Sequence, residues 1–166
     1  MKNLTFPDRH RLNAAEGWLD LGDHEEAEAE LRQLSPGARE TNDYFNLQWR
    51  LLVLRRQWSL ALQTAQTQIE VAPDHPSGWI NLSYCLHELD RTTEARETLK
   101  KVVRKFNDLP VVPYNLACYE CQLGDIEASK RWLLRAIRVG KRQEIIHMAQ
   151  QDDDLRPLWP SLESLA

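Results

Sequence analysis

Residues 76–109 read PSGWINLSYCLHELDRTTEARETLKKVVRKFNDL, and this stretch holds two amphipathic patterns on either side of a polar turn. The first pattern has the spacing of one helix face and consists of Trp79, Leu82, Ser83 and Leu86. The turn follows at Asp90 and Arg91. The second pattern has the same helical spacing and consists of Ala95, Leu99 and Val102. The stretch therefore predicts two helices joined by a short turn.

The same arrangement recurs every 34 residues along the chain. One column holds small residues, at the place where the two helices of a pair would cross: Ala27, Ala61, Ala95 and Ser129. A second column lies one helical turn later: Leu31, Ala65, Leu99 and Leu133. A third column falls at each predicted turn: Gly22, Arg56, Asp90 and Gly124. These columns predict four successive helix pairs.

The residues of the third and fourth repeats resemble the tetratricopeptide repeat (TPR) family. The run Trp79-x2-Leu82-Ser83-x2-Leu86, followed by Ala95-x3-Leu99, is similar to the family pattern W-x2-L-G-x2-Y followed by A-x3-F. The fourth repeat resembles the family equally, in the segment from Tyr114 to Asp125. Residues 8–142 closely resemble small bacterial cytoplasmic TPR proteins with a C-terminal cap, and residues 143–166 resemble them more loosely.

The resemblance implies an all-α fold, a right-handed α-solenoid of four TPR helix–turn–helix repeats plus a C-terminal capping helix. We expect a single domain over residues 1–166, with repeats at about 8–41, 42–75, 76–109 and 110–142 and a cap and tail at 143–166. The implied function is a non-catalytic protein–protein interaction module, an adaptor or scaffold that binds a peptide or protein segment in its concave groove.

The end of the chain departs from the repeat pattern. Residues 143–151 predict one more helix, which a terminal repeat needs because its outer face has no neighbour. Its apolar face would consist of Ile145, Ile146 and Ala149. Pro157 and Pro160 then predict a turn-rich tail. Its docking residues would be Leu155, Leu158 and Trp159, and the tail would either cap the array or occupy the groove.

Composition favours a cytoplasmic protein without a membrane partner. No apolar run approaches the roughly 18 residues of a membrane span, and residues 1–10 lack a secretory-signal pattern. The odd number of cysteines, three, fits a reducing compartment.

No residue pattern points to catalysis, so we expect no enzyme, no cofactor and no metal. Cys118 and Cys121 have the spacing of a redox or zinc pair, but they fall in mid-helix with no second pair at zinc-finger spacing. The acidic run Asp152-Asp153-Asp154 is interpreted as a helix cap or solvated turn. With six glycines in the chain, a phosphate-binding loop is not expected.

Charge is distributed unevenly along the chain, whose net charge is −4. Residues 1–40 carry 5 basic and 9 acidic side chains, whereas residues 96–142 carry 11 and 5. The basic block predicts a solvated face, with contact to an acidic partner as an alternative. No nucleic acid partner is expected, because aromatic residues for base stacking are not interleaved with the cations.

The resemblance also identifies the residues that would line the groove, since first helices line the concave face of TPR arrays. The expected peptide-binding residues are Asn46, Arg50, Ile80, Asn81, Tyr84, His87, Tyr114, Asn115, Cys118 and Cys121. The first repeat would add Leu12, Glu16 and Leu19. The carboxylate clamp of chaperone-binding TPR domains is not matched, because only Asn81 fits its position.

Two other functions stay open on the sequence. The length resembles that of type III secretion chaperones, although Met1–Pro7 is too short for the dimerising helix that those proteins use. Salt-dependent self-assembly would follow if the acidic first repeat met the basic fourth repeat of another copy. The protein is therefore expected to be a monomer or a weak homo-oligomer with a protein or peptide partner.

Overall fold

A computed structural model describes residues 4–165 of the chain, and the side chains of residues 4–162. This part of the chain folds into helices and turns, and no strand occurs within it. The α-helices are, in order, α1 (Phe6–Asp20), α2 (His24–Arg32), α3 (Asn42–Leu54), α4 (Trp58–Val71), α5 (Pro76–Glu88), α6 (Thr92–Val102), α7 (Val111–Gln122), α8 (Ile126–Val139) and α9 (Arg142–Gln151). Two 3-10 helices also occur among the described residues, at Ala38–Glu40 and Asp153–Leu165.

The chain divides into two compact units. The N-terminal unit comprises Met1–Cys85, and the C-terminal unit comprises Leu86–Ala166, so the division falls inside α5. Within the N-terminal unit, α1 packs on α2 and α3 packs on α4. Within the C-terminal unit, α7 packs on α8 and on the C-terminal 3-10 helix.

All four residues of the predicted turn column adopt positive φ angles. The angles are 79° at Gly22, 54° at Arg56, 59° at Asp90 and 85° at Gly124. Each turn closes with the same pair of backbone bonds; in the first, Gly22 N–H donates to Leu19 O and Asp23 N–H donates to Trp18 O. These bonds satisfy carbonyls at the end of the preceding helix, which is the role of a left-handed C-terminal cap.

The small column is fully buried. Ala27, Ala61, Ala95 and Ser129 each have a relative exposure of 0%. The Ser129 hydroxyl donates to Ala117 O at 2.7 Å, which ties α8 to α7. No side chain larger than these fits such a position without separating the helices, because protein interiors are close-packed.

The tail differs from the predicted turn, because Asp153–Leu165 forms a 3-10 helix. A 3-10 helix has three residues per turn, so residues at i and i+3 share a face. Leu155 and Leu158 lie on one such face and are fully buried, whereas Pro157 and Pro160 lie on another and are exposed. The prolines therefore set the exposed face of the helix and do not interrupt it.

The tail docks on α9 through the residues that the sequence indicates. The Trp159 indole N–H donates to Ala149 O at 2.8 Å. Ile145 and Ala149 of α9 are buried, in agreement with the predicted apolar face, while Ile146 is half-buried. The end of the C-terminal unit is thus covered by the chain itself.

Candidate peptide-binding surfaces

The N-terminal unit has a cleft between α1 and α3, at the position expected for the first part of the groove. Its volume is about 170 Å³. The cleft is lined by five polar or charged residues and three leucines: Arg9, Asn13, Glu16, Asp43, Asn46, Leu4, Leu12 and Leu47. Three residues predicted to line the groove, Leu12, Glu16 and Asn46, therefore lie at one cleft.

Arg50, the cation predicted for the groove, is paired within the N-terminal unit. Its guanidinium bonds to the Asp20 carboxylate and lies 3.8 Å from a carboxylate oxygen of Glu16. The two acidic side chains on α1 offset its charge. The Arg50 guanidinium is therefore already paired with carboxylates of its own unit.

Asn81 belongs to a buried amide network. Its side-chain amide donates to Gln68 Oε1 at 2.9 Å, and Gln68 in turn donates to Asn42 Oδ1 at 3.0 Å and to Ser77 Oγ at 2.8 Å. Gln68 is fully buried and Asn81 is 5% exposed. Buried polar groups must find such partners. Asn81 therefore helps to hold α3, α4 and α5 together. The sequence predicts Asn81 as a groove residue and does not predict this network.

Tyr84 lies among tryptophans on the N-terminal unit. Its ring makes edge contacts with Trp49, at 5.9 Å between centroids, and with Trp58, at 6.0 Å. The Trp49 indole N–H points at the Cys85 sulfur, 3.1 Å away. Ile80 is half-buried, one helical turn before Tyr84. The two tryptophans pack against Tyr84, as their helical spacing predicts, and Tyr84 is half-buried.

In the C-terminal unit, the predicted groove residues contact the start of the tail. The Tyr114 hydroxyl donates to Asp152 Oδ2 at 2.8 Å, and the Cys118 thiol lies 3.4 Å from the same oxygen. His87 Nε2 lies 2.9 Å from Asp154 Oδ2. The side-chain amide of Gln122 donates to Asp154 O. The tail therefore occupies this face as well as capping the end of the unit, and Asp152 and Asp154 are its contact residues.

Burial favours the neutral, protonated forms of the thiols and the hydroxyl in this cluster. Burial, reinforced by Asp152, raises the pKa of the Cys118 thiol well above its ordinary value, and burial also raises the pKa of Cys121. Burial likewise raises the pKa of the Tyr114 hydroxyl. The thiolate is the reactive form of cysteine, so raised pKa values favour the inert thiol. Asn115, the remaining predicted residue of this unit, is half-buried on α7.

Donor atoms of Cys118, Asp152 and Asp154 lie within 4.8 Å of one another, close enough to share a divalent cation. Each donor already has a hydrogen-bond partner in the protein: Tyr114 and Cys118 donate to Asp152, and His87 bonds Asp154. These bonds account for the arrangement on their own, so it carries no metal assignment.

The hydrogen bond with Asp154 raises the pKa of His87, more than burial lowers it, with smaller contributions from the charges of Asp154, Glu88 and Asp152. The other ring nitrogen lies 2.9 Å from the Thr92 hydroxyl, and the ring tilts against Tyr119 at 5.0 Å. Since the folded-state pKa lies above the ordinary value of about 6.5, the protonated pair stabilises the folded protein below that pH. The stabilisation is lost as pH rises through the folded-state pKa.

We expect Asp154→Asn to lower the free energy of unfolding by on the order of 1 kcal/mol more at pH 5.5 than at pH 8.5, because the imidazolium gains more from the carboxylate than the neutral ring does. Urea unfolding of both proteins at the two pH values measures the difference. Asp153→Asn is the matched control, since Asp153 is exposed in the same turn. A pH-independent difference for Asp154→Asn would show that His87 and Asp154 do not form this pair.

Family models and solved structures agree on the repeat architecture. Two tetratricopeptide repeat models match the chain, one over residues 9–33 and one over residues 76–104. No curated protein matches it. No helix among residues 4–165 is both long and apolar enough to cross a bilayer.

Several solved structures share the fold at low sequence identity. MamA from Desulfovibrio magneticus RS-1 is 15% identical, with a TM-score of 0.71 over 98% of this chain and 95% of that one. TTC0263, a thermophilic TPR protein of Thermus thermophilus, is 15% identical, with a TM-score of 0.72 over 95% and 99%. Another MamA structure is 9% identical, with a TM-score of 0.70 over 96% and 87%. These likenesses confirm the predicted fold class, an α-solenoid of TPR repeats.

Proposed function

This chain is a tetratricopeptide repeat protein, and on that premise we propose that it is a non-catalytic adaptor that binds a peptide segment through its N-terminal unit. Repeat arrays of this kind bury a continuous core between neighbours and leave extended surfaces for partners. The cytoplasmic location and bacterial type that the sequence indicates belong to the same proposal.

The observation that carries the proposal is the difference between the two units. The cleft of about 170 Å³ between α1 and α3 is open, whereas the corresponding face of α7 is covered by Asp152 and Asp154. A peptide that binds without displacing the tail would therefore bind at the N-terminal cleft. Leu12 and Leu47 are its buried apolar lining, and Asn46, whose Oδ1 accepts a hydrogen bond from the Asn81 amide at 3.4 Å, lines it as well.

The ligand that suits this cleft is an extended or helical peptide with a small apolar anchor. The acidic Glu16 and Asp43 and the basic Arg9 line the same cleft, so both signs of charge are available at its rim. Shape and a few hydrogen bonds would provide the specificity, as in other grooves that receive peptides. Preformed helices reduce the ordering cost on the side of the receptor.

The test compares two double variants as baits for partners from native lysate, followed by affinity measurement with the partner recovered. Asn13→Lys/Asn46→Lys fills the cleft with long side chains, and Gln63→Lys/Gln66→Lys makes the same charge change on the exposed face of α4. We expect the cleft variant to bind at least about tenfold more weakly, a cost of about 1.4 kcal/mol, and the control to match the wild type. Equal binding by both variants would refute the cleft as the binding site.

Two other functions, a chaperone of the type III secretion kind and salt-dependent self-assembly, remain predictions. The dimerising helix of a secretion chaperone would involve Met1–Pro7, of which residues 1–3 lie outside the described residues. Self-assembly would depend on the acidic groups of the first repeat. Glu28 and Glu30 of α2 are paired with Arg55 and Arg11, whereas Glu25 and Glu26 are exposed. That pairing weakens the charge complementarity on which self-assembly would depend.

A further inference from the structure

One pocket of the C-terminal unit lies away from the tail, between α6, α7 and α8. Its volume is about 410 Å³. Four cationic side chains line it, from α6 and α8: Arg96, Lys100, Arg131 and Arg135. All four lie within the basic stretch of residues 96–142, and for Lys100, Arg131 and Arg135 the sequence predicts a solvated face. In the structure these four side chains converge on one pocket.

A buried carboxylate holds the two α6 cations in place. Glu120 is 3% exposed, and its two oxygens lie 3.3 Å from Arg96 Nη1 and 2.9 Å from Lys100 Nζ. Arg96 also bonds Glu97 at 3.0 Å. A buried carboxylate is stable only with such partners, so the pairing fixes this wall of the pocket. The charge of Glu120 is compensated before any ligand arrives.

The opposite wall, on α8, carries cations without an acidic partner. Arg131 and Arg135 are one helical turn apart, which places their side chains on the same face. Among the described residues, no carboxylate pairs with either of them, and the Arg135 guanidinium lies over the Trp132 ring at 5.6 Å. The pocket is lined by four cations and by two acidic residues, Glu120 and Asp125, so its lining carries two more positive than negative charges.

We propose that this pocket binds a phosphoryl group, held mainly by Arg131 and Arg135. The guanidinium fork matches two oxygens of a phosphoryl group, and two such forks one turn apart provide the charge that a dianion needs. Lys100 adds a third donor at the opposite wall, and Trp132 keeps Arg135 in position by stacking. The phosphoryl group could be carried by a small molecule or by a phosphorylated protein segment, and its chemistry is the same in both cases.

The test uses inorganic pyrophosphate and a phosphoserine peptide as probes on the full chain at low ionic strength. The readout is the indole N–H resonance of Trp132, assigned by its loss in Trp132→Phe. In Arg131→Gln/Arg135→Gln we expect the affinity for both probes to fall at least about tenfold. The shift of the Trp132 resonance on addition of either probe should disappear. The matched control is Arg104→Gln/Arg138→Gln, which removes the same charge from exposed positions that do not line the pocket. This control is expected to bind as the wild type does.

The outcomes separate the possible sources of the ligand and the ways in which the proposal fails. Tighter binding of the phosphoserine peptide would assign a protein source, and tighter binding of pyrophosphate a small-molecule source. If both double variants lost the same affinity for the probes, binding would depend on the overall positive charge and not on the pocket. That result would overturn the proposal. Equal binding of a peptide with glutamate in place of phosphoserine, or no response to either probe, would overturn it too. None of these outcomes depends on the N-terminal cleft.

Discussion

Leu158→Ala is expected to lower the free energy of unfolding by about 2–5 kcal/mol, the usual cost of truncating a fully buried leucine. Leu158 has a relative exposure of 0% and, with Leu155, forms the buried face of the C-terminal 3-10 helix. Truncation would remove buried apolar contact and leave a cavity beneath the tail. Urea unfolding, monitored by far-ultraviolet circular dichroism, measures the change in the free energy of unfolding.

Leu134→Ala is the control for this experiment, because Leu134 lies on α8 and is 38% exposed. Its truncation should change the free energy of unfolding by about 0.5 kcal/mol or less, as is usual at surface positions. If Leu158→Ala cost no more than Leu134→Ala, the tail would not be docked in solution.

Ala95→Leu is expected to destabilise the protein by about 1–3 kcal/mol, because added methylene groups strain a close-packed site. Ala95 belongs to the fully buried small column. The substitution replaces a small residue with a more hydrophobic one, so the direction of the effect separates packing from hydrophobicity. Thermal and urea unfolding are suitable measurements.

Thr93→Leu provides the comparison on the same helix, since Thr93 is exposed near the start of α6. It adds apolar volume where no neighbouring helix is displaced, so we expect little change in stability. A stabilising effect of Ala95→Leu would mean that the helices do not meet closely at the small column.

The repeat architecture could be predicted because it depends on local, periodic information. Gly22 and Gly124 suit positive φ by their chemistry. Arg56 and Asp90 do not, and only the 34-residue register identifies them as turns. The buried small column follows from the same register. Each of these features recurs, so each supports the others.

The contacts of the tail could not be predicted, because they join segments that the repeat does not relate. Tyr114 and Cys118 are placed on the inner face of α7 by their register, but Asp152 lies beyond the last repeat. The prolines of the tail predict a turn because they end α-helices, whereas the 3-10 helix accommodates them on its exposed face. The amide network of Gln68 is similarly non-local.

The segment that begins at Asp152 belongs to the same chain as the face it covers, and this affects competition for that face. A tethered group acts at an effective concentration on the order of millimolar, whatever the concentration of the protein. A free peptide directed at His87, Tyr114 and Cys118 would have to outcompete this local concentration, and dilution would not help it. Its measured affinity would therefore understate its intrinsic affinity, by a factor set by how often the tail leaves α7.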